Sequence, residues 1–462
     1  MNRLPARVMV SLKTGLYSIN RIITLCSLVL LPIMGVSQFQ EAKAYIPDSL
    51  AVSDSPNNKS VTYQSRTATE ADSTSYEYEA YESSRSFAEH LLALPSYLLH
   101  WSTRPLGWGV KYVEENYPYW FKGERAPYGI YPLFELGDEV IGEAGVLLYH
   151  NNIGRGHHES RIEATAGLDG YRELNVDYMV PASGAANDWE KVHFEFNYED
   201  DPKESLFYNG GGNNRRTYYT FERFLSNITY NIELGQRHRW SVLAGYRNTD
   251  IGVSDKRNTD EDFEFVAFPT DSTGRSSLGS IGTRFSFDFT RGAKRTIAGS
   301  RYIGGINLNR SLTSVSPHFL TYHFEWQQFV PVPLLPDNRR LALRSRLDKA
   351  VLLEGDELPF YELPDLGSGG DLRGVRSHRF RDNGALLFTL EYRYPVWGFA
   401  DAVIFWDKGQ VFNEYENVDW LNWRNSYGFG FHLLSGNNFA FRSEFAFSKE
   451  YSRIILSISP NF

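Results

Sequence analysis

A chain of 462 residues with 42% hydrophobic residues and a mean hydropathy of −0.40 leaves no stretch beyond its N-terminal apolar run that could cross a membrane as a helix. The formal net charge of −9 disfavours nucleic acid as a partner, and the single cysteine, Cys26, lies inside the N-terminal run, so the chain without that run has no disulfide, thiolate metal site or cysteine catalysis. Aromatic residues reach 15%, which is high for so polar a composition, and a transmembrane β-barrel reconciles the two because alternate residues of each strand face lipid and a polar lumen.

Residues 1–44 read as an export signal. Arg3, Arg7, Lys13 and Arg21 precede the apolar run Ile22 to Val36, and Ala42-Lys43-Ala44 places small residues at the spacing a signal peptidase accepts. The alternative is an uncleaved anchor. Ile23-Thr24-Leu25-Cys26 hints at a lipoprotein box, but the apolar run continues past the cysteine, which argues against lipidation. Removal of the signal leaves 42 cations against 55 anions, a balance of −13.

Residues 45–86 are dominated by Ser, Thr, Glu, Asp and Tyr without a sustained period. Such a segment buries too little apolar surface to offset its ordering entropy, so it is expected to be a disordered periplasmic linker. Residues 87–126 open with helical spacing of Leu91, Leu92, Leu98, Leu99, Trp101, Trp108, Val110 and Tyr112, broken at Pro95 and Pro105. One or two short amphipathic helices follow. They would plug the lumen, lie on the membrane or cap the barrel end.

From Pro127 to Phe462 the period is two. The expected strands are Pro127 to Leu136, Gly142 to Asn151, Glu159 to Leu168, Tyr171 to Val180, Lys191 to Asp200, Tyr218 to Leu234, Arg239 to Thr249 and Leu278 to Thr290. They continue with Thr296 to Asn309, Phe319 to Val330, Arg340 to Leu352, Ala385 to Tyr394, Asp401 to Phe412, Ser426 to Leu434, Phe439 to Phe447 and Ser452 to Phe462. The fold expected is all-β: an antiparallel transmembrane barrel of about 16 strands over residues 127–462, preceded by a short helical segment.

Alternation assigns the faces. Val192, Phe194, Phe196 and Tyr198 oppose His193, Glu195, Asn197 and Glu199, and on the strand from Ala385 the apolar Leu386, Phe388 and Leu390 oppose Thr389, Glu391 and Arg393. A basic residue on the lipid face near the midplane costs about 2–4 kcal/mol, so the charged sets are expected to point inward. Connections such as Leu168 to Tyr171 are tight, whereas those at 250–277 and 353–383 are long and are expected on the outer side. In the last strand Ile454, Leu456 and Ile458 are in phase with the terminal Phe462, similar to the recognition strand that ends many bacterial outer-membrane proteins, while Pro460 removes a ladder donor near the end.

The loop Gly369-Gly370-Asp371-Leu372-Arg373-Gly374, then Arg379-Phe380-Arg381-Asp382-Asn383, Glu391-Tyr392-Arg393-Tyr394-Pro395 and Phe405-Trp406-Asp407-Lys408-Gly409, occur in an order that resembles the BamA/TamA superfamily, also called the bacterial surface antigen family. Phe207 to Asn213 is similar to a glycine turn found there. The resemblance implies that loop 353–383 folds into the lumen and that Arg373, next to Gly374, faces Glu391 and Asp407. The alternative for Arg373 is a solvated loop cation. Val375 stands where the family usually has an aromatic, and no βααββ pattern of a POTRA module occurs between Ala44 and Pro127, which resembles a branch without such modules.

The implied function is insertion or translocation of proteins or lipids in the outer membrane of a Gram-negative bacterium, with outer-membrane lipids and a periplasmic or outer-membrane protein as partners. The alternative is a passive pore or structural barrel lined by residues such as Glu195, Glu325, Arg340, Arg344, Arg346, Arg442 and Glu444. No cofactor or catalytic site is expected: G-x-S-x-G, H-E-x-x-H and a lysine-bearing phosphate loop do not occur, and His157-His158 reads as a solvated turn rather than a metal site.

Overall fold

The computed structural model describes residues 128–460 apart from 137–142, 154–157, 183–189, 209–214, 236, 256–263, 269–271, 293–297, 314–316, 333–338, 356, 368–369, 398–399, 420, 422 and 435–438. The signal, linker and helices expected over 1–126, most of the glycine turn, and Phe462 lie outside the described residues.

Among the described residues, sixteen strands of nine residues or more run in chain order: β1 Tyr128–Leu136, β2 Glu143–Ile153, β3 His158–Gly167, β4 Arg172–Pro181, β5 Glu190–Tyr208, β6 Arg215–Glu233, β7 His238–Val253 and β8 Gly274–Asp288. They continue as β9 Gly299–Ser311, β10 His318–Pro331, β11 Arg340–Glu354, β12 Gly384–Trp397, β13 Ala400–Phe412, β14 Arg424–Leu434, β15 Phe439–Ser448 and β16 Ser452–Pro460. Each pairs antiparallel with its successor. The first also meets the last, where Phe134, Glu135 and Leu136 lie opposite Ile458, Ser457 and Leu456. Among the described residues this barrel seam has three paired positions. By contrast, β15 pairs with β16 from Phe439↔Pro460 through to Phe447↔Ser452.

The two-residue rhythm produces the two faces. On β13, Ile404 is 55% exposed while its neighbour Phe405 is 2% exposed. Ile228, Val242, Ile281, Ile306 and Phe429 are likewise exposed on their strands, and Asn227, Thr229, Asn231 and Ser241 are buried on the opposite side. Lys349 departs from the expected inward placement of charge. It has the parity of Leu347, which packs with Leu386, Phe388 and Trp423 on the outer side. The turn after β13 covers it: Lys349 donates to the Asn413 carbonyl and its ammonium sits 5.3 Å from the Phe412 ring centroid and 5.8 Å from that of Tyr415. A cation is tolerated there because local groups replace water.

β5 and β6 also extend past the expected ends at Asp200 and Tyr218, to Tyr208 and from Arg215. A bulge makes this possible. The register shifts between Asp201 and Glu204, so Pro202 and Lys203 are accommodated and pairing resumes at Glu204↔Tyr219. Proline and the break in alternation hide such a continuation from a periodicity reading. Strand direction places the connections 254–273, 355–383 and 413–423 at one rim, opposite the ends of the barrel strands where the chain enters β1 and leaves β16.

Candidate functional site

The connection between β11 and β12 folds on itself before it meets the wall. Phe360–Glu362 forms a 3-10 turn, and Asp365–Leu366 pairs antiparallel with Phe380–Arg381. Gly367 (φ +114°) needs the left-handed region, and a Cβ there would lie 2.0 Å from the Arg376 carbonyl oxygen, so glycine alone permits that crossing. Leu366, Leu372, Val375 and Phe380 then pack with Ala385 and Leu387 of β12 into one buried cluster. Val375 is 2% exposed and fills its place in this cluster.

That packing presents Arg373 to the wall, where it is 4% exposed. Its Nε donates to Asp407 Oδ2 at 2.9 Å and its Nη2 to Asp407 Oδ1 at 2.7 Å, while Nη1 donates to Glu391 Oε1 at 2.8 Å. The same Nη1 lies 3.3 and 3.4 Å from the two carboxylate oxygens of Glu444, on β15. Its guanidinium carbon stands 3.4 Å from the Phe405 ring centroid. One planar cation therefore bridges three strands, β12, β13 and β15, a geometry a lysine ammonium would not reproduce. Burial opposes the Arg373 charge, but the surrounding carboxylates outweigh it and raise its pKa above the ordinary arginine value.

The neighbours complete the arrangement. Gly374 N donates to Ser426 Oγ at 2.7 Å, and a Cβ at Gly374 would meet the Phe447 carbonyl at 2.7–2.8 Å. Gly428, opposite Phe405, leaves the space the ring occupies: a Cβ there would come 2.4 Å from it. His432 Nε2 hydrogen-bonds Glu444 Oε1 at 2.8 Å, and Arg393 Nε donates to Glu391 Oε2 at 2.7 Å.

Further ion pairs fasten the loop around the lumen. Arg346 and Arg344 of β11 hold Asp371 and the Gly370 carbonyl, with Arg344 Nη1 to Gly370 O at 2.8 Å. Arg247 of β7 donates to Glu362 at 2.6 Å, and Arg379 reaches Glu450, in the turn after β15, at 3.0 Å. His378, at φ +55°, hydrogen-bonds Asp365 and lies 3.9 Å from Glu204. Burial opposes its charge; the Glu204 and Asp365 carboxylates outweigh that and push its pKa up to about 9.

Of the residues singled out in the sequence, Arg373, Gly374, Glu391 and Asp407 are thus brought together in the lumen. Ile454, Leu456 and Ile458 stand elsewhere, on β16 with parity opposite to the buried Arg453 and Ile455, and Leu456 and Ile458 lie in the seam opposite Leu136 and Phe134. Glu444, Ser426, His432 and Phe405 belong to the cluster without having been assigned to it. Strand parity gives each an inward direction, but only the docked position of the loop selects them. Among the described residues no group of His, Cys, Asp and Glu has the arrangement of a metal site.

Three comparisons bear on the chain. The sequence profile described as the Omp85 superfamily domain matches residues 151–459. No curated protein sequence matches. Among solved structures, BamA from Haemophilus ducreyi lacking POTRA domains 1–3 is similar with a TM-score of 0.54 at 15% identity, over 73% of this chain and 70% of that one. CdiB from Acinetobacter baumannii gives a TM-score of 0.48 at 11% identity, over 71% of this chain and 59% of that one. CdiB from Escherichia coli gives 0.49 at 12%, over 72% and 63%.

Proposed function

The chain belongs to the Omp85 superfamily, and from that premise we propose that it is an outer-membrane barrel of a Gram-negative bacterium that inserts or translocates polypeptides, using the seam between β1 and β16 as the site of opening. The observation that carries this reading is the contrast between a seam of three paired positions among the described residues and a lumen whose loop is held by buried ion pairs. The loop keeps the wall in shape from inside. The seam is the place where the circuit has least to lose by parting. Pro460, within β16, lacks the N–H that would lengthen the ladder. A periplasmic or outer-membrane protein with POTRA-like modules is the partner this reading calls for, since such modules capture clients by adding strands to their own sheets.

The deciding experiment places cysteines at Glu135 and Ser457, which are directly opposite in the seam. Oxidation is expected to stop insertion of a barrel client into proteoliposomes, and reduction to restore it. Unchanged insertion with the bond formed would sink the seam mechanism. The passive-pore alternative is separated by planar-bilayer recording: the docked loop favours a closed or flickering trace, and a steady open conductance would decide for a pore.

A further inference from the structure

Between the loop and the inner sides of β6, β7 and β9–β11 lies a cavity of about 500 Å³, distinct from the Arg373 cluster. Among the residues lining it, five buried side-chain polar atoms make no hydrogen bond among the described residues: Arg223 Nε, Arg247 Nε, Asn307 Oδ1, Glu362 Oε1 and Arg346 Nε, the last in an ion pair with Asp348 at 2.8 Å. Glu362 has a side chain only 6% exposed, and its other oxygen already accepts from Arg247. The lining carboxylates Asp348, Asp365 and Asp371 are engaged by Arg346, by His378 and by Arg346 in turn. Arg223 stacks on Phe221, 4.4 Å from its centroid, and makes no ion pair within 4 Å among the described residues. The cavity thus combines unused donors on cations with unused acceptors on a carboxylate and an amide.

Buried polar groups left without partners are unfavourable, and a polar space of this size lies in the range of small-molecule sites. We propose that the cavity binds a hydroxylated oxyanion of sugar-phosphate size. The anionic group would meet the guanidinium of Arg223 beside Arg247, and hydroxyls would donate to Glu362 and Asn307. A plain anion would leave the acceptors unused, and a neutral sugar would leave the Arg223 guanidinium balanced only by Glu199, its cross-strand neighbour. Such a group could arrive on a free phosphosugar or on a phosphorylated lipid headgroup.

Calorimetric titration of the purified full chain in detergent with glucose 6-phosphate, glucose and inorganic phosphate tests this. Saturable binding of glucose 6-phosphate is expected, at least about tenfold tighter than either glucose or phosphate, since both the charged and the hydroxyl contacts contribute. Arg223→Gln is expected to weaken it about tenfold, and Arg275→Gln, at the exposed rim, to leave it unchanged. Should Arg223→Gln not reach a heat-modifiable folded form, Asn307→Ala supplies the same reading through the hydroxyl side. Competition by lipid A vesicles, and not by phosphatidylglycerol vesicles, would identify a lipid source; lack of competition would identify a free one. Absence of saturable binding, equal affinity for glucose or for phosphate, or indifference to both variants would overturn the proposal.

Discussion

Arg373 and Asp407 form a two-pronged ion pair, Nε to Oδ2 at 2.9 Å and Nη2 to Oδ1 at 2.7 Å, in which the aspartate side chain has no solvent exposure at all. A loop residue and a strand residue 34 positions apart thereby fix each other's orientation. The pair holds because Glu391, Glu444 and the Phe405 ring surround the same guanidinium.

Removing one member of such a buried cluster leaves uncompensated charge, for which losses of about 3–5 kcal/mol are typical. Arg373→Ala is therefore expected to destabilise the barrel by that order, seen as a lower temperature for loss of the heat-modifiable band. Arg373→Lys is expected to recover only part, because a point charge cannot serve Asp407 and Glu391 in the same plane. Wild-type behaviour of Arg373→Ala would show that the loop docks without the cluster.

Glu444 gives a finer test of the same cluster. Its contacts with Arg373, at 3.3–3.4 Å, are longer than those of Glu391 and Asp407, and it also holds His432. Glu444→Gln keeps the shape and removes one negative charge, so its cost is expected to be smaller, about 1–3 kcal/mol. Thermal melts of Glu444→Gln and Asp407→Asn compared side by side would check the order; a larger loss for Glu444→Gln would reverse it.

The loop also depends on a missing side chain. A Cβ at Gly374 would meet the backbone of Phe447 at 2.7–2.8 Å, where no flexible group can yield. Gly374→Ala is expected to push Arg373 away from its carboxylates and to expose the loop to added protease under conditions where the native chain resists cleavage. Equal protease resistance would mean that β15 shifts to make room.

The His378 contact carries a pH signature. Its pKa is raised in the folded chain, so its contribution to stability is complete below about 6.5 and is lost as pH climbs through about 9. Loop docking is expected to weaken over that interval. His378→Asn, which tolerates the left-handed backbone of this position, is expected to flatten the dependence. Protease sensitivity measured from pH 6 to 10 on both forms would decide, and an identical slope in the variant would assign the effect to another group.

Much of the architecture is legible in the sequence alone. The alternation around Phe194 and Glu195, and the tight turn at Leu168 to Tyr171, depend on residues within one strand or one hairpin, so a local pattern is enough to read them. The bulge at Asp201 to Glu204 escaped because Pro202 interrupts the pattern while the ladder survives the interruption. Lys349 escaped for the opposite reason: its outward parity was plain, but the turn that shelters it lies 64 residues later. The inward directions of Glu391 and Asp407 were readable from parity, and their link to Arg373 came through family resemblance; nothing in either strand alone pointed to Glu444, 71 residues beyond the arginine.

The sequence by itself determined a period-two chain with an oily and a polar side, which in lipid leaves a barrel as the way to satisfy every backbone donor and acceptor. The tertiary structure alone decided which wall the loop leans on, how many carboxylates share Arg373, and which described positions join β1 to β16. Side-chain alternation repeats every two residues and carries no information about distance along the chain. Docking a loop and closing a ring depend on groups far apart in sequence meeting at one point, and only the folded backbone sets that meeting.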